Sequence, residues 1–129
     1  MYNYKKMNKK EFDKNVLQEL KEILRNAYVE NLSCEKVIDK YGREYSFFFC
    51  DPSYFEIAGY GNTFGENEHL ILRDKLKNLK GKFLLTINDH EKVREWYKDF
   101  SIVETEVNYS FSKDTKGRGK YGELIITNY

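Results

Sequence analysis

The sequence predicts an α/β protein with a mostly parallel sheet, flanked by helices and ending in a C-terminal antiparallel hairpin. Hydrophobic residues alternate between helical spacing and short continuous runs up to residue 100. The apolar run YSFFFC is typical of a strand buried on both faces, as parallel strands between helices are, and KFLLTI is predicted to be a second buried strand. Residues 101–112 and 121–128 then form two strand patterns joined by the polar turn KDTKGRGK. Alternating strands and helices followed by a hairpin predict this fold class.

Size, charge and hydropathy limit the possible classes of protein. The 129 residues suit one domain, residues 1–129, and 40% hydrophobic residues are enough for a core. The net charge of +1 does not favour nucleic acid or membrane as a partner. No apolar run approaches the roughly 20 residues of a membrane span, and the charged start lacks a signal peptide's apolar segment. We therefore expect a cytoplasmic protein with no membrane partner.

Helical patterns precede the first apolar run. Residues 8–11 resemble a capping box, and hydrophobic residues at helical spacing predict a helix over about residues 9–26. A short strand is predicted for AYVE, residues 27–30. Ser33 can cap a second helix, which Gly42 ends.

Two further helices surround KFLLTI. Residues 66–80 predict a helix that Gly81 ends. Its apolar stripe contains His69, Leu72, Leu76 and Leu79. Asn88 or Asp89 can cap a last, short helix. The residues of that helix expected to face inward are Val93, Trp96, Tyr97 and Phe100.

Polar segments follow both central strands. DPSY, residues 51–54, comes directly after YSFFFC, and NDH, residues 88–90, follows KFLLTI. In open α/β sheets, ligands bind beyond the carboxyl ends of the strands. We therefore expect these two loops to lie side by side at a binding rim. The two cysteines and two histidines match no zinc spacing, so no metal is expected.

DPSY resembles the [DNS]-P-P-[YFW] motif of amino-group methyltransferases, with Ser53 in place of the second proline. Other stretches extend the resemblance: the spacing of Tyr60 and Phe64, EHLILRDKLKNLKGKFLLTIND, EWYKDF and the closing ELIITNY. Together, over about residues 27–129, they are similar to the distal half of D12-class, Dam-related adenine-specific DNA methyltransferases. The resemblance implies a partial Rossmann-like methyltransferase fold.

The resemblance also implies roles for the motif. Asp51 and the Pro52 carbonyl would accept the N–H bonds of the target adenine's amine, and proline restricts the backbone that holds both groups. A base inside a duplex must be flipped out to be methylated. Tyr54 would stack on the flipped adenine, with Phe55 packed behind it. S-adenosylmethionine would donate the methyl group, with its methionine portion near Asp51, and no metal would be required.

Several of these residues have a second interpretation. Asp51 and Pro52 could form an ordinary strand-ending turn. Asn88, Asp89 and His90 could lie at the substrate rim or could simply cap the following helix. Lys116 and Arg118, together with Lys113 and Lys120, could contact DNA phosphates or form a solvated charged turn.

One part of the family pattern is missing. An F-x-G-x-G turn should bind the cofactor, but the only glycine before DPSY is Gly42. The chain therefore resembles the second half of a methyltransferase, whose sheet would lack two strands between AYVE and YSFFFC. An exposed strand edge favours association. We expect a complementary methyltransferase fragment, self-association or a decayed remnant. The alternative function is a noncatalytic module that binds DNA or a methyltransferase partner.

Overall fold

Four helices and four strands are present in residues 14–57, 64–108 and 120–129, the part of the chain that the computed structural model describes. The helices are α1 Lys14–Leu24, α2 Cys34–Tyr41, α3 Glu66–Lys77 and α4 Glu91–Trp96. The strands are β1 Phe47–Cys50, β2 Lys82–Asn88, β3 Ser101–Asn108 and β4 Lys120–Thr127. The chain divides into two units, residues 1–31 and 32–129. None of the described helices is long and apolar enough to cross a membrane.

The first unit contains α1. The predicted helix over 9–26 is confirmed from Lys14 to Leu24, whereas the capping box at 8–11 lies outside the described residues. The large apolar side chains of α1 are exposed: Val16, Leu17, Leu20, Ile23 and Leu24. The strand predicted at residues 27–30 is wrong, because those residues form no strand. A strand requires a hydrogen-bonded neighbour, and every paired strand belongs to residues 47–127.

The second unit is built around a four-stranded sheet in the order β1-β2-β4-β3. β1 pairs with β2 in parallel, with Phe47 opposite Lys82 and Cys50 opposite Leu85. β4 is antiparallel to both β2 and β3. The α/β class and the C-terminal hairpin are confirmed, but the prediction of a mostly parallel sheet is wrong. The hairpin places β4 between β2 and β3, and β4 is antiparallel to both of these neighbours.

One face of this sheet is covered by helices. Side chains alternate between the faces of a strand, and on this face Phe83, Leu85 and Ile87 of β2 are fully buried. The register places Leu124 and Ile126 of β4 beside them. The remaining buried apolar residues of the core are Ile38, Phe55, Leu72, Leu76, Val93 and Tyr97. Since α2, α3 and α4 all contribute to this one cluster, we call it the covered face.

The opposite side, which we call the open face, carries the alternate residues of each strand, and its apolar members are Phe47, Phe49, Leu84, Val103 and Ile125. The side chains of Phe47 and Phe49 are 55% and 65% exposed, and Val103 of β3 is 56% exposed. The prediction that YSFFFC is buried on both faces is therefore wrong. Only the alternate residues of β1 pack against the core, because the helices of this unit all pack on the covered face.

β1 is also an edge strand, since the order of the sheet places it beside β2 alone. Its other edge, here called the open edge, has no paired strand among the described residues. Unpaired backbone N–H and C=O groups along such an edge are a template for a further strand. The open edge and the exposed phenylalanines of the open face therefore belong to the same strand.

The predicted helix ends are confirmed for α2, whereas α3 and α4 differ from the prediction. α3 ends at Lys77 with Asn78 as its C-cap, so the prediction that Gly81 ends this helix is wrong. α2 begins after Ser33 and ends at Gly42, whose N–H donates to the Ile38 carbonyl at 2.7 Å. A Cβ at Gly42 would lie 2.6 Å from that oxygen, so glycine is required there. α4, however, begins after His90 and not after Asn88 or Asp89. His90 Nδ1 accepts from the Lys92 N–H at 3.1 Å.

Candidate active site

The segment 51–57 lies against the end of β2, beside the loop that follows it. Asn88 joins the two: its Oδ1 accepts from the Phe55 N–H at 2.7 Å, and its Nδ2 donates to the Phe55 carbonyl at 3.0 Å. The Asn88 side chain is 6% exposed. Both polar groups of a buried amide are therefore satisfied by one backbone residue. The prediction that the DPSY and NDH loops lie side by side is confirmed.

Asp51 follows the last residue of β1 and is exposed. Its Oδ1 accepts a hydrogen bond from the Thr86 hydroxyl at 3.1 Å. Thr86 belongs to β2, the strand parallel to β1, so the neighbouring strand orients the carboxylate at the rim. The carboxylate remains accessible to a ligand.

Tyr54 is held by the other neighbour of β2. Its hydroxyl donates to Glu123 Oε1 at 2.6 Å, and both residues are half-buried. Glu123 belongs to β4 and stands opposite Asn88 in the antiparallel register. A hydrogen bond to a carboxylate is about twice as strong as one between neutral groups. One cross-strand pair therefore fixes two consecutive residues, Tyr54 and Phe55.

Phe55 anchors the segment in an aromatic cluster. Its ring, 4% exposed, meets three others edge to face. The ring centroids lie 4.9 Å away for Trp96, 5.0 Å for His90 and 5.5 Å for His69. Aromatic pairs in this geometry stabilise by about 0.5–1.5 kcal/mol each beyond simple burial. Burial of Phe55 therefore keeps Asp51 and Tyr54 against the sheet.

His69 lies fully buried in the same cluster. Its ring meets Phe64 edge to face at 4.7 Å and stacks on Trp96 at 6.1 Å. Neither ring nitrogen has a hydrogen-bond partner within the described residues. Burial lowers the pKa of His69, and the opposing effects of the Glu68 carboxylate and the Ser53 backbone do not reverse the shift. We conclude that His69 is a neutral packing residue behind the segment.

The backbone of the turn is strained at Glu56. Its φ of 54° lies in the left-handed region, which costs a non-glycine residue about 1–3 kcal/mol. His90 Nε2 lies 3.2 Å from one carboxylate oxygen, and Lys92 Nζ lies 3.8 Å from the other. These are exposed contacts of small value. The strain is therefore maintained mainly by the anchoring of the preceding Phe55.

Asp89 does not cap α4, because its carboxylate is bound by Arg94. The two Asp89 oxygens accept from Arg94 at 2.6 and 2.7 Å, and Arg94 also donates to Glu104 of β3 at 2.8 Å. These hydrogen bonds lower the pKa of Asp89 and raise the pKa of Arg94. The cap falls to His90 since the side chains of Asn88 and Asp89 are engaged elsewhere.

The structure brings together Asp51, Pro52, Tyr54, Phe55 and Asn88. Lys116 and Arg118 lie outside the described residues, as do Tyr60 and Lys113. Within the described ranges no cluster of His, Cys, Asp and Glu could hold a metal ion. Cys34 and Cys50 are unpaired and half-buried, and burial raises the pKa of Cys50 to about 11.

Two contact residues of the segment, Thr86 and Glu123, were not found by sequence reasoning. Glu123 is separated from Tyr54 by 69 positions, and only the strand register places it beside Asn88. The sequence signal for Thr86 is its position two residues before Asn88 on the same strand, which assigns both to one face. No motif indicated either contact.

Comparison with known proteins identifies the family of the chain. The sequence profile of the family described as D12 class N6 adenine-specific DNA methyltransferase matches residues 1–111. The chain belongs to the D12 class of DNA methyltransferases. The segment with Asp51 at the end of β1 therefore lies within the matched region of a methyltransferase family.

Two curated relatives match most of this chain over about half of their own length. Type II methyltransferase M1.LlaDCHI of Lactococcus lactis subsp. cremoris is 31% identical over 134 aligned positions, which cover 95% of this chain and 47% of the relative. Type II methyltransferase M.CviBI of Paramecium bursaria Chlorella virus NC1A is 29% identical over 126 positions, covering 92% and 47%. The chain thus spans about half the length of these relatives.

Proposed function

We propose that the chain is the target-base half of a site-specific DNA adenine-N6 methyltransferase of the restriction-modification type. It would act in the cytoplasm and transfer a methyl group from S-adenosylmethionine to a flipped adenine. The observation that carries this proposal is the segment 51–55, fixed at the carboxyl end of β1 by Thr86, Glu123 and Asn88. Family membership supports the reaction class.

Asp51 and Pro52 are the proposed catalytic acceptors. The exocyclic amine of adenine is a weak nucleophile because its lone pair is delocalised into the ring. A carboxylate at Asp51 and the carbonyl of Pro52 can accept its two N–H bonds and increase electron density on nitrogen. Thr86 binds only one carboxylate oxygen at 3.1 Å, and a fixed acceptor needs little reorganisation in the transition state.

Tyr54 is the proposed stacking residue for the flipped base. Stacking of a base on an aromatic ring contributes about 1–3 kcal/mol in comparable sites. Phe55 is buried in the aromatic cluster directly after it, so the backbone that carries the Tyr54 ring is fixed. Asn88 supports the same backbone and is proposed to line the substrate side of the rim.

S-adenosylmethionine, when bound, supplies a methyl group on a sulfonium that is already a good leaving group. The exposed carboxylate of Asp51 can contribute to holding its methionine portion, and no metal is required in the proposal. The described residues would supply one wall of a cofactor site, since Asp51 is the first residue after β1. The second wall would come from the proposed complementary fragment.

The proposed partner is a complementary methyltransferase fragment. The chain spans 47% of each relative. Among the described residues, its sheet has both an unpaired edge at β1 and an apolar open face with Phe47 and Phe49 exposed. A fragment that adds a strand to the edge and helices to the face would bury both surfaces. Self-association through the same surfaces is the competing outcome.

DNA is the proposed macromolecular substrate. Lys116 and Arg118 are proposed to contact phosphates, which contribute affinity without sequence recognition. With a net charge of +1, the chain must concentrate such contacts locally. Salt should weaken binding in proportion to the number of phosphates contacted.

Methyl transfer from radiolabelled S-adenosylmethionine to DNA tests the proposal. The chain is assayed alone and with a polypeptide carrying the part of the Lactococcus lactis relative that it does not match. We expect transfer with the partner, and a decrease of at least about a hundredfold for Asp51→Ala, the size of loss seen when a preorganised polar group is removed. Asp39→Ala, which removes only a surface pair with Lys75, is the control and should remain active.

Two outcomes contradict the proposal. If wild type with its partner transfers no label while still binding DNA, the noncatalytic module is favoured. If Asp51→Ala transfers as much label as wild type, the site lies elsewhere in the chain.

A further inference from the structure

We propose that Glu123 is a positioning residue, which orients the Tyr54 ring for the flipped base through the hydrogen bond between Tyr54 Oη and Glu123 Oε1. This inference rests on the proposed function and adds a residue to it. The bond is 2.6 Å long and joins positions 69 residues apart. It is part-buried, where water competes less for the carboxylate.

The geometry gives the bond a directional role. Backbone contacts from Asn88 fix Phe55 on both its N–H and its carbonyl, but they act after Tyr54 and leave its side-chain torsions undetermined. The hydroxyl lies at the far end of the ring, on the axis of the Cβ–Cγ bond, so anchoring it restricts rotation about the Cα–Cβ bond. Because a phenolic O–H prefers to lie in the plane of its ring, the position of the Glu123 oxygen also favours one tilt of the ring. Glu123 is thus placed to select one orientation of the ring.

The support for Glu123 is itself rigid. Glu123 is paired with Asn88 in the β2–β4 register, and the adjacent Leu124 is fully buried. The carbonyl of Gly122, the residue before Glu123, also accepts from the Asp89 N–H at 2.8 Å. This bond joins β4 to the NDH loop. A carboxylate on such a backbone can orient a partner at little entropic cost. β4 therefore contributes to the site although it carries none of the motif.

The test uses a DNA oligonucleotide with 2-aminopurine at the target adenine, an analogue whose emission depends on stacking. The chain is combined with the complementary polypeptide described above, and the affinity and the emission of the bound base are measured. The variants are Tyr54→Phe, Glu123→Gln, Glu123→Ala and the double variant Tyr54→Phe/Glu123→Ala. Glu104→Gln, which alters a carboxylate bound to Arg94 on the same sheet, is the matched control.

We expect Glu123→Ala to weaken binding about tenfold, which corresponds to about 1.4 kcal/mol. Tyr54→Phe should have a similar effect, and the double variant should be no weaker than either single variant. Glu123→Gln keeps an acceptor and should restore most of the affinity and the emission of wild type. Urea unfolding midpoints identify any variant whose loss reflects folding.

The inference is overturned if Glu123→Ala weakens binding equally with and without the Tyr54 hydroxyl, because the two residues would then act independently. It is also overturned if Glu123→Ala leaves the emission of the bound base unchanged. A wild-type complex that never alters the emission contradicts the proposed function itself, and with it this inference. If the wild-type complex alters the emission but the variants give either of the two overturning results, only the positioning role of Glu123 fails.

Discussion

The two faces of the sheet carry similar side chains but differ in what covers them. Phe83 and Leu85 on the covered face are fully buried, whereas Phe47 and Phe49 on the open face are more than half exposed. Exposed apolar patches of this kind mark interaction surfaces. The covered face therefore stabilises the chain, whereas the open face has the exposure expected of an interaction surface.

Substituting one phenylalanine on each face should show the largest difference. Phe83→Ala is expected to lower the free energy of unfolding by about 4 kcal/mol, because it removes a fully buried ring. Phe49→Ala should lower it by less than about 1 kcal/mol, because the ring is 65% exposed. Urea denaturation of both variants measures the difference. Equal losses would show that the open face is covered in solution by self-association.

A substitution at Asn88 tests the rim of the sheet. Asn88 is the one open-face residue of β2 that is buried. Asn88→Leu preserves side-chain volume but leaves the Phe55 N–H and carbonyl without partners, so we expect a loss of about 3 kcal/mol. Asn78→Leu, which removes one exposed hydrogen bond at the end of α3, should cost under about 1 kcal/mol. A loss for Asn88→Leu as small as this control would show that Asn88 does not hold the segment.

Through the buried His69, the free energy of unfolding of the covered side should depend on pH. Burial lowers its pKa in the folded state, so the unfolded chain binds the proton more readily. Stability from neutral His69 is therefore complete above the unfolded pKa of about 6.5 and is lost as pH falls below it. Urea midpoints from pH 8 to pH 5 should show this decrease, and His69→Leu should remove the part due to His69.

His90→Gln is the control for that titration, since His90 is the other histidine of the chain. The variant should retain the contribution of His69. A wild-type and a His69→Leu curve that run parallel over this range would contradict a neutral, buried His69.

Glu56 should give the smallest effect. Its φ of 54° strains any side chain, so Glu56→Gly should be more stable than Glu56→Ala by about 1 kcal/mol. Both variants lose the same contacts with His90 and Lys92, so the comparison isolates the backbone. Thermal unfolding of the pair measures the difference, and equal melting temperatures would mean that the turn is relaxed in solution.

Local patterns predicted the covered side of the molecule well. Helical spacing identified α3 with His69, Leu72 and Leu76 on its buried stripe, and Gly42 marked the end of α2. The run KFLLTI identified β2. These features depend on residues a few positions apart, which is the range over which periodicity and capping act.

What the sequence did not predict depends on contacts between residues far apart in the chain. FFFC has the same local pattern whether helices cover one face of the sheet or both, so burial on both faces was the wrong expectation for β1. The position of β4 beside β2 depends on pairing between strands that are far apart in the sequence, and only this position brings Glu123 to Tyr54. The N-cap of α4 shifted to His90 because Phe55 and Arg94 engage the two preceding polar side chains.

The aromatic cluster around Phe55 contains a tryptophan whose fluorescence can be followed. Trp96 is the single tryptophan of the chain, and its ring lies 4.9 Å from Phe55 and 6.1 Å from the imidazole of His69. Indole emission responds to solvent polarity and to nearby protonated imidazole. The fluorescence of the unlabelled protein should therefore report whether the segment 51–57 stays packed against Trp96 as the protein unfolds, and whether the proposed partner or base changes that packing.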